Sequence, residues 1–489
     1  MINFGEWIPD QPALNNTGAS VAKNCFPSAR GYRQIKGLSD FSNAADARLR
    51  GMRAAKSKDQ NVTIVCGDGT KLYKYNKSNN NLENVSKAGN YTLGIEDRWR
   101  FVQFGEDIIA VGGTDVPTQR WQLDSSTNFA DLNASAPNAR HIAVVRDFVM
   151  TGFTNESGTT YPYRLRWSGL ADITTWGSST TTQADFQDTF GIGYITGLVG
   201  GEYATIFCER GIIRGTYVGS PLIFQFDVVE TSRGCSVSGS IVNVGKTTFY
   251  WSDDGIYMWD GEKSIPIGAE KVNRWLVDNY DADLEERVYG AVDPLKQVIV
   301  WTFPSKTGAG NADTLLIYNY ALNQFSYAEI ATDVVDPLFT SGYTLEQMDT
   351  INTSIDAIGT SFDDDIWKGG TFFFAGSVNN KISSFAGSVQ TAVIETPEIQ
   401  LIPNKFTLIN EVRPYVTMGS GGDGASTVQI GTRKRTQDSV SYSSATSIND
   451  EGVAPVRSNA RFHTVRLNIS GDWDHALGVD VMGMQNGVR

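Results

Sequence analysis

The 489-residue chain has room for several domains, or for one large β architecture with an accessory domain. Hydrophobic residues at 40% and aromatics at 11% supply a core and exclude wholesale disorder, while 49 glycines and only 19% charged residues point to tight turns between short strands. Lys+Arg of 41 against Asp+Glu of 54 leaves a formal net charge of -13, which does not suit a protein that binds nucleic acid by neutralising phosphates. It is compatible with DNA as a neighbour that slides past without sticking.

No run of about 18 apolar residues predicts a transmembrane helix, and MINFGEWIPDQPALNN has neither the basic nor the apolar region of a secretory signal. Cys25, Cys66, Cys208 and Cys235 are widely spread, with no CxxC pair, and read as buried free thiols of a reducing compartment. His141, His463 and His475 offer no convergent metal-ligand pattern. With three histidines, most acid–base and nucleophilic schemes would have to run on carboxylates.

In chain order, residues 1–45 are rich in Asn, Pro and Gly, with aromatic anchors at Phe4, Trp7, Phe26, Tyr32 and Phe41. SNAADARLRGMRA (42–54) predicts a short helix. NVTIVCGDGTKLYKYN (61–76) predicts a hairpin turning at Gly67-Asp68-Gly69. Degenerate versions of that unit follow at 107–123, 147–170, 204–219, 247–261, 297–328 and 370–387. Each has an apolar strand, a Gly/Asp/Asn turn and a second strand carrying Tyr, Trp or Phe.

Ile64, Ile109, Val149, Ile206, Phe249, Ile299 and Phe372 are equivalent in these units, with steps of 45, 40, 57, 43, 50 and 73 residues. A four-stranded propeller blade takes about 40–50 residues. One such sheet cannot bury both faces, so neighbours stack around an axis. Helical periodicity is strongest at 268–288, through Val272, Trp275, Leu276 and Tyr280. Residues 391–489 read as alternating strands joined by polar loops such as GSGGDGAS.

The predicted fold is all-β: a β-propeller of six or seven blades over 46–390, with a β-sandwich platform built from 1–45 and 391–489. Two stacked β-sandwiches are the alternative.

Candidate chemistry is sparse. WSDDGIYMW (251–259) approaches the Asp-box of glycosidase propellers through Ser252 and Asp254, but Gly255 comes one residue early, so a hairpin turn is the reading. Asp363, Asp364 and Asp365 supply oxygens of the type Ca²⁺ prefers, yet three consecutive aspartates cannot all face one ion. GIGYITG (191–197) lacks the helix that would present an N-terminus to a phosphate. Basic runs at Arg48, Arg50, Arg53, Lys56 and Lys58, and at Arg433, Lys434 and Arg435, read first as solvated faces, and otherwise as points that dock an acidic partner or touch a phosphate backbone. No catalytic, cofactor-binding or metal-ligating residue is assigned.

Several motifs resemble the tail hub or nozzle proteins of short-tailed bacteriophages. These are Trp7-Ile8-Pro9-Asp10-Gln11-Pro12, then Ala22-Lys23-Asn24-Cys25-Phe26-Pro27 and Gly31-Tyr32. RLRWSGLADITTW is similar through Trp167, Ser168, Asp172 and Trp176, as are FCERGI, ETSRGCSVSGSIV and FYWSDDGIYMWDG, and the closing GDWDHALGVDVMGMQNGVR. The resemblance implies a structural, non-enzymatic virion protein without cofactors, assembled in the bacterial cytoplasm. Six copies would form a hexameric ring below the portal and adaptor, extend and close the DNA exit channel, retain the genome, support ejection, and carry fibres, spikes or a needle. A carbohydrate-binding or glycosidase-like propeller, with Trp251 or Trp259 stacking on sugars, is the alternative function. A peptide-recognising scaffold is a third.

Overall fold

The computed structural model describes residues 1–14, 16–340, 370 and 372–485. Strands dominate, and most pair with their sequence neighbours into four-stranded antiparallel sheets. Blades 1 to 6 begin with the strands Gly51–Lys56, Arg100–Phe104, Asn138–Val145, Ile195–Val199, Val242–Val244 and Tyr289–Asp293. Blade 7 begins with Val335–Phe339 and continues through Phe372–Val378 and Lys381–Ser384. Its fourth strand is Ser39–Ala44, which comes from the N-terminal segment.

The architecture is therefore a seven-bladed β-propeller. The first strands of the blades meet around a central axis. At the seam between blades 4 and 5, a Cβ on Gly197 would stand 2.1 Å from Ile241 Cδ1, so a larger residue there would displace the Ile241 side chain.

Each seam has its own core. Leu72, Trp99, Ile108 and Trp121 fill the junction of blades 1 and 2, and Phe148, Met150, Trp167 and Ile206 that of blades 3 and 4. Leu49, Met52, Ile64, Leu338 and Ile382 close blade 7 onto blade 1. Each fully buried Leu, Ile or Phe contributes about 1.5–3 kcal/mol, so the seams hold the ring shut.

Blade 6 does not stop at four strands. Its outer strand Gln324–Ala328 pairs in parallel with Val21–Lys23 through Lys23 and Tyr327. That strand pairs with Ala392–Glu395, which leads on to Phe462–Ser470 and Ala425–Arg433, making one ten-stranded sheet. A second sheet packs against its far end, ordered Cys25–Ser28, Gly31–Gln34, Trp473–Gln485, Thr407–Met418 and Ala454–Ala460, with Ile2–Asn3 alongside. Ile394, Ile409, Val412, Val465, Leu467, Trp473 and Val479 fill this sandwich. They belong to one contiguous core with Trp251, Trp301 and Phe303 of blades 5 and 6.

Two local expectations are corrected. Residues 42–54 hold no helix: they contain the end of Ser39–Ala44 and the start of Gly51–Lys56. The Ala and Arg spacing suits a helix, but the edges of blades 7 and 1 need these residues as strands, and tertiary context overrides propensity. In 268–288 only Asn273–Asn279 is α-helical, followed by the 3-10 turn Ala282–Arg287. The chain is extended between them, where Asp281 N–H donates to Pro304 O at 3.0 Å.

Candidate functional site

Two places concentrate polar and aromatic side chains: the joint between propeller and platform, and the axial channel.

The joint is built from the motifs that stand out at the N-terminus. Trp7 is buried, its ring edge-on to Trp275 at 4.8 Å and tilted against Tyr327 at 5.0 Å. The Asp10 carboxylate accepts the backbone N–H groups of Arg274 and Trp275, both at 2.8 Å. The Asn24 amide donates to Thr391 O at 3.0 Å, and its carbonyl accepts from Glu329 N at 2.9 Å, bridging platform and blade 6. Gly31 has φ +123°, and a Cβ there would lie 2.0 Å from Ala476 O. Tyr32 Oη donates to Gly5 O at 2.8 Å.

The remaining motif residues are also structural. Trp167 Nε1 donates to Gln183 O at 2.9 Å, and Asp172 accepts from both Thr174 and Thr175 within its turn. Asp254 sits in a hairpin turn and accepts from Tyr257 Oη at 2.8 Å. Trp251 and Trp259 are each 2% exposed, which corrects the reading of either as a sugar platform. The four cysteines are buried free thiols. GIGYITG is the loop and first strand of blade 4. Arg433 pairs with Glu398. Asp363, Asp364 and Asp365 lie outside the described residues.

The axial channel carries an arginine belt. Arg98 donates to Val288 O and Glu286 O, both at 2.7 Å, and its guanidinium lies 5.6 Å from the Tyr289 ring centre. Arg100 donates to Arg140 O and Ser238 Oγ, both at 2.7 Å. Arg53 faces Asp336 at 4.0 Å, and Arg140 reaches Asp97 at 3.1 Å. Burial, together with neighbouring Arg98, pulls Arg100 down to about 9, so it stays charged at neutral pH. Burial pushes Asp336 up to about 7 against the pull of Arg53. Burial and then the Arg100 charge hold His141 well below the usual imidazole range.

One mouth of the channel is acidic. Glu96, Asp97, Asp283, Glu285 and Glu286 rim a cavity of about 330 Å³ whose wall also includes Arg98, Arg100 and Arg140 of the belt. Burial, then Glu286 and Glu96, raise the Glu285 carboxyl. The basic run at 47–58 divides: Arg48 and Arg53 meet Asp333 and Asp336 of blade 7, while Arg50 donates to Gly94 O at 2.6 Å. The convergence of Arg53, Arg98 and Arg100 was not read from the sequence. The signal present was the pair of arginines in Arg98-Trp99-Arg100, at the entry to the first strand of blade 2.

The topology defines the class, a seven-bladed β-propeller fused through blade 6 to a β-sandwich. No family model matches the chain, and no curated protein matches it. Among solved structures it is similar to the Pan2 WD40 domain of Neurospora crassa, at 7% identity and TM-score 0.39, over 73% of this chain and 98% of that one. The N-terminal domain of Nup159 is similar at 7% identity and TM-score 0.36, over 75% and 98%. Apo AztD from Citrobacter koseri is similar at 12% identity and TM-score 0.30, over 62% and 96%.

Proposed function

We propose that this chain is a structural component of a short-tailed phage tail, a hub or nozzle subunit and not an enzyme. Six copies form a ring below the portal and adaptor, lengthen and close the DNA exit channel, and support fibres or spikes. The supporting observation is the placement of the residues that carry the resemblance. Trp7, Asp10, Asn24, Gly31 and Tyr32 all lie at the joint or in the platform beside it, where one ten-stranded sheet runs from blade 6 into the sandwich. A shared sheet and core make the two units a rigid wedge, the shape a cyclic assembly needs. A net charge of -13 suits a channel wall that repels phosphates and lets DNA pass.

The test is immunogold labelling of virus particles from a lysate of the source, with an antibody to the purified chain. Gold at a single tail vertex, in particles that release the protein as a six-fold ring, is the expected result. Unlabelled particles in a lysate that contains the protein would overturn the assignment.

A further inference from the structure

Arg98, just ahead of the first strand of blade 2, and Arg100, the first residue of that strand, both line the axial channel, and among the described residues neither forms an ion pair. Each spends two N–H groups on neutral acceptors, the carbonyls of Val288, Glu286 and Arg140 and the Ser238 hydroxyl. A guanidinium has five such donors. Both side chains line a cavity of about 200 Å³ that Arg53 also lines. Asp336 is the one carboxylate on its wall, only 7% exposed, and its Oδ2 is without a hydrogen-bond partner. The wall of this cavity thus carries three guanidinium groups and one carboxylate, while Arg98 and Arg100 also border the neighbouring acidic cavity, and cationic charge held partly away from water favours a counterion.

We infer that this axial cavity binds a tetrahedral oxyanion, either free phosphate or the phosphate of a small monoester, between Arg53, Arg98 and Arg100. Planar guanidinium forks match the edges of a phosphate. The Ser238 hydroxyl stands beside Arg100 as a further polar group. Phe101, Ile142 and Ile241 form apolar walls that limit the ligand to about the size of phosphate. The acidic rim of Glu96, Glu285 and Glu286 repels a polyanion such as a nucleic acid strand, so the site selects small anions. The inference goes beyond the virion reading and does not depend on it.

The test is calorimetric titration of the full chain with inorganic phosphate and with glycerol 3-phosphate, against chloride at matched ionic strength. Phosphate is expected to bind saturably at one site and to raise the unfolding midpoint by mass action. Arg53→Gln, which removes a cation but no buried hydrogen bond, should weaken binding at least about tenfold. Asp336→Asn, which removes the opposing carboxylate, should tighten it several-fold. Equal binding of glycerol 3-phosphate assigns a monoester site, and rejection of it assigns free phosphate. No saturable heat and no shift beyond chloride would overturn the inference. So would phosphate binding that neither variant changes, because that places the anion elsewhere. Arg100→Gln adds a third arm where it folds, and the two other variants decide the matter without it.

Discussion

The Asp10 carboxylate accepts the backbone N–H of Trp275 at 2.8 Å, across 265 residues of sequence. Its other oxygen takes the N–H of Arg274. The helix Asn273–Asn279 has no side-chain cap of its own, since Val272 stands at its N-cap position. An aspartate from the N-terminal segment therefore satisfies two of the donors that a helix start leaves open. Asp10→Ala should lower stability by about 1–2 kcal/mol and Asp10→Asn by less, read from urea midpoints at constant m. An Ala variant as stable as the parent would remove the cap from the account.

Trp7 sits between Trp275 and Tyr327 in the core that platform and blades share. Trp7→Ala should cost about 3–5 kcal/mol, and Trp7→Phe distinctly less. Because the core is continuous, fluorescence and far-ultraviolet circular dichroism should report one coincident transition. A platform that melts first, with the blades intact, would show that the joint does not couple them.

The pH dependence has two limbs. With Asp336 held up to about 7 by burial, the folded state keeps a proton that the unfolded chain loses above about pH 4. Stability contributed by this group therefore falls as pH rises from about 4 to about 7, then levels off. Asp336→Asn should stabilise by about 1–3 kcal/mol near pH 8 and hardly at all near pH 4. His141, His463 and His475 act in the opposite direction, since burial lowers all three. The unfolded chain takes up their protons first, so stability also drops as pH falls below about 6.5. Urea midpoints of both proteins across this range check the signs, and a variant effect that is flat with pH would contradict the Asp336 limb.

All four thiols are buried, and burial pushes Cys208 and Cys235 up to about 12. Thiolate is the reactive form. The native protein should therefore be inert to a thiol-specific disulfide reagent near neutral pH and release four equivalents once unfolded. Rapid reaction of any native thiol would place it on an opening segment.

The repeat was legible because its turns are chemically marked. Ile64, Ile109, Val149, Ile206, Phe249, Ile299 and Phe372 all fall on the second strand of their blades. That strand is the apolar one before the turn to the third, so spacing between equivalent residues pointed to six or seven blades despite insertions, and the structure settles the number at seven. The fourth strand of blade 7 was not legible. SDFSNA is a short, polar edge strand, and nothing local says that its partner is Lys381–Ser384. The arginine belt escaped for a related reason. Arg53, Arg98 and Asp336 lie on different blades, and only closure of the ring brings them together. Motif residues such as Trp7 and Asp10 stood out as signals of identity, and the structure gives them a mechanical role.

Ring closure also sets an order of synthesis. Ser39–Ala44 leaves the ribosome early, yet its partner Lys381–Ser384 follows more than three hundred residues later, and Ile2–Asn3 must wait for the strand Trp473–Gln485. Neither the propeller nor the platform can complete itself from a partial nascent chain. Early blades emerge with an open seam and an unpaired edge, the state in which β proteins aggregate. Such a chain becomes safe only when its last strands arrive, so truncated translation products should be cleared by proteases and leave no stable sub-domain.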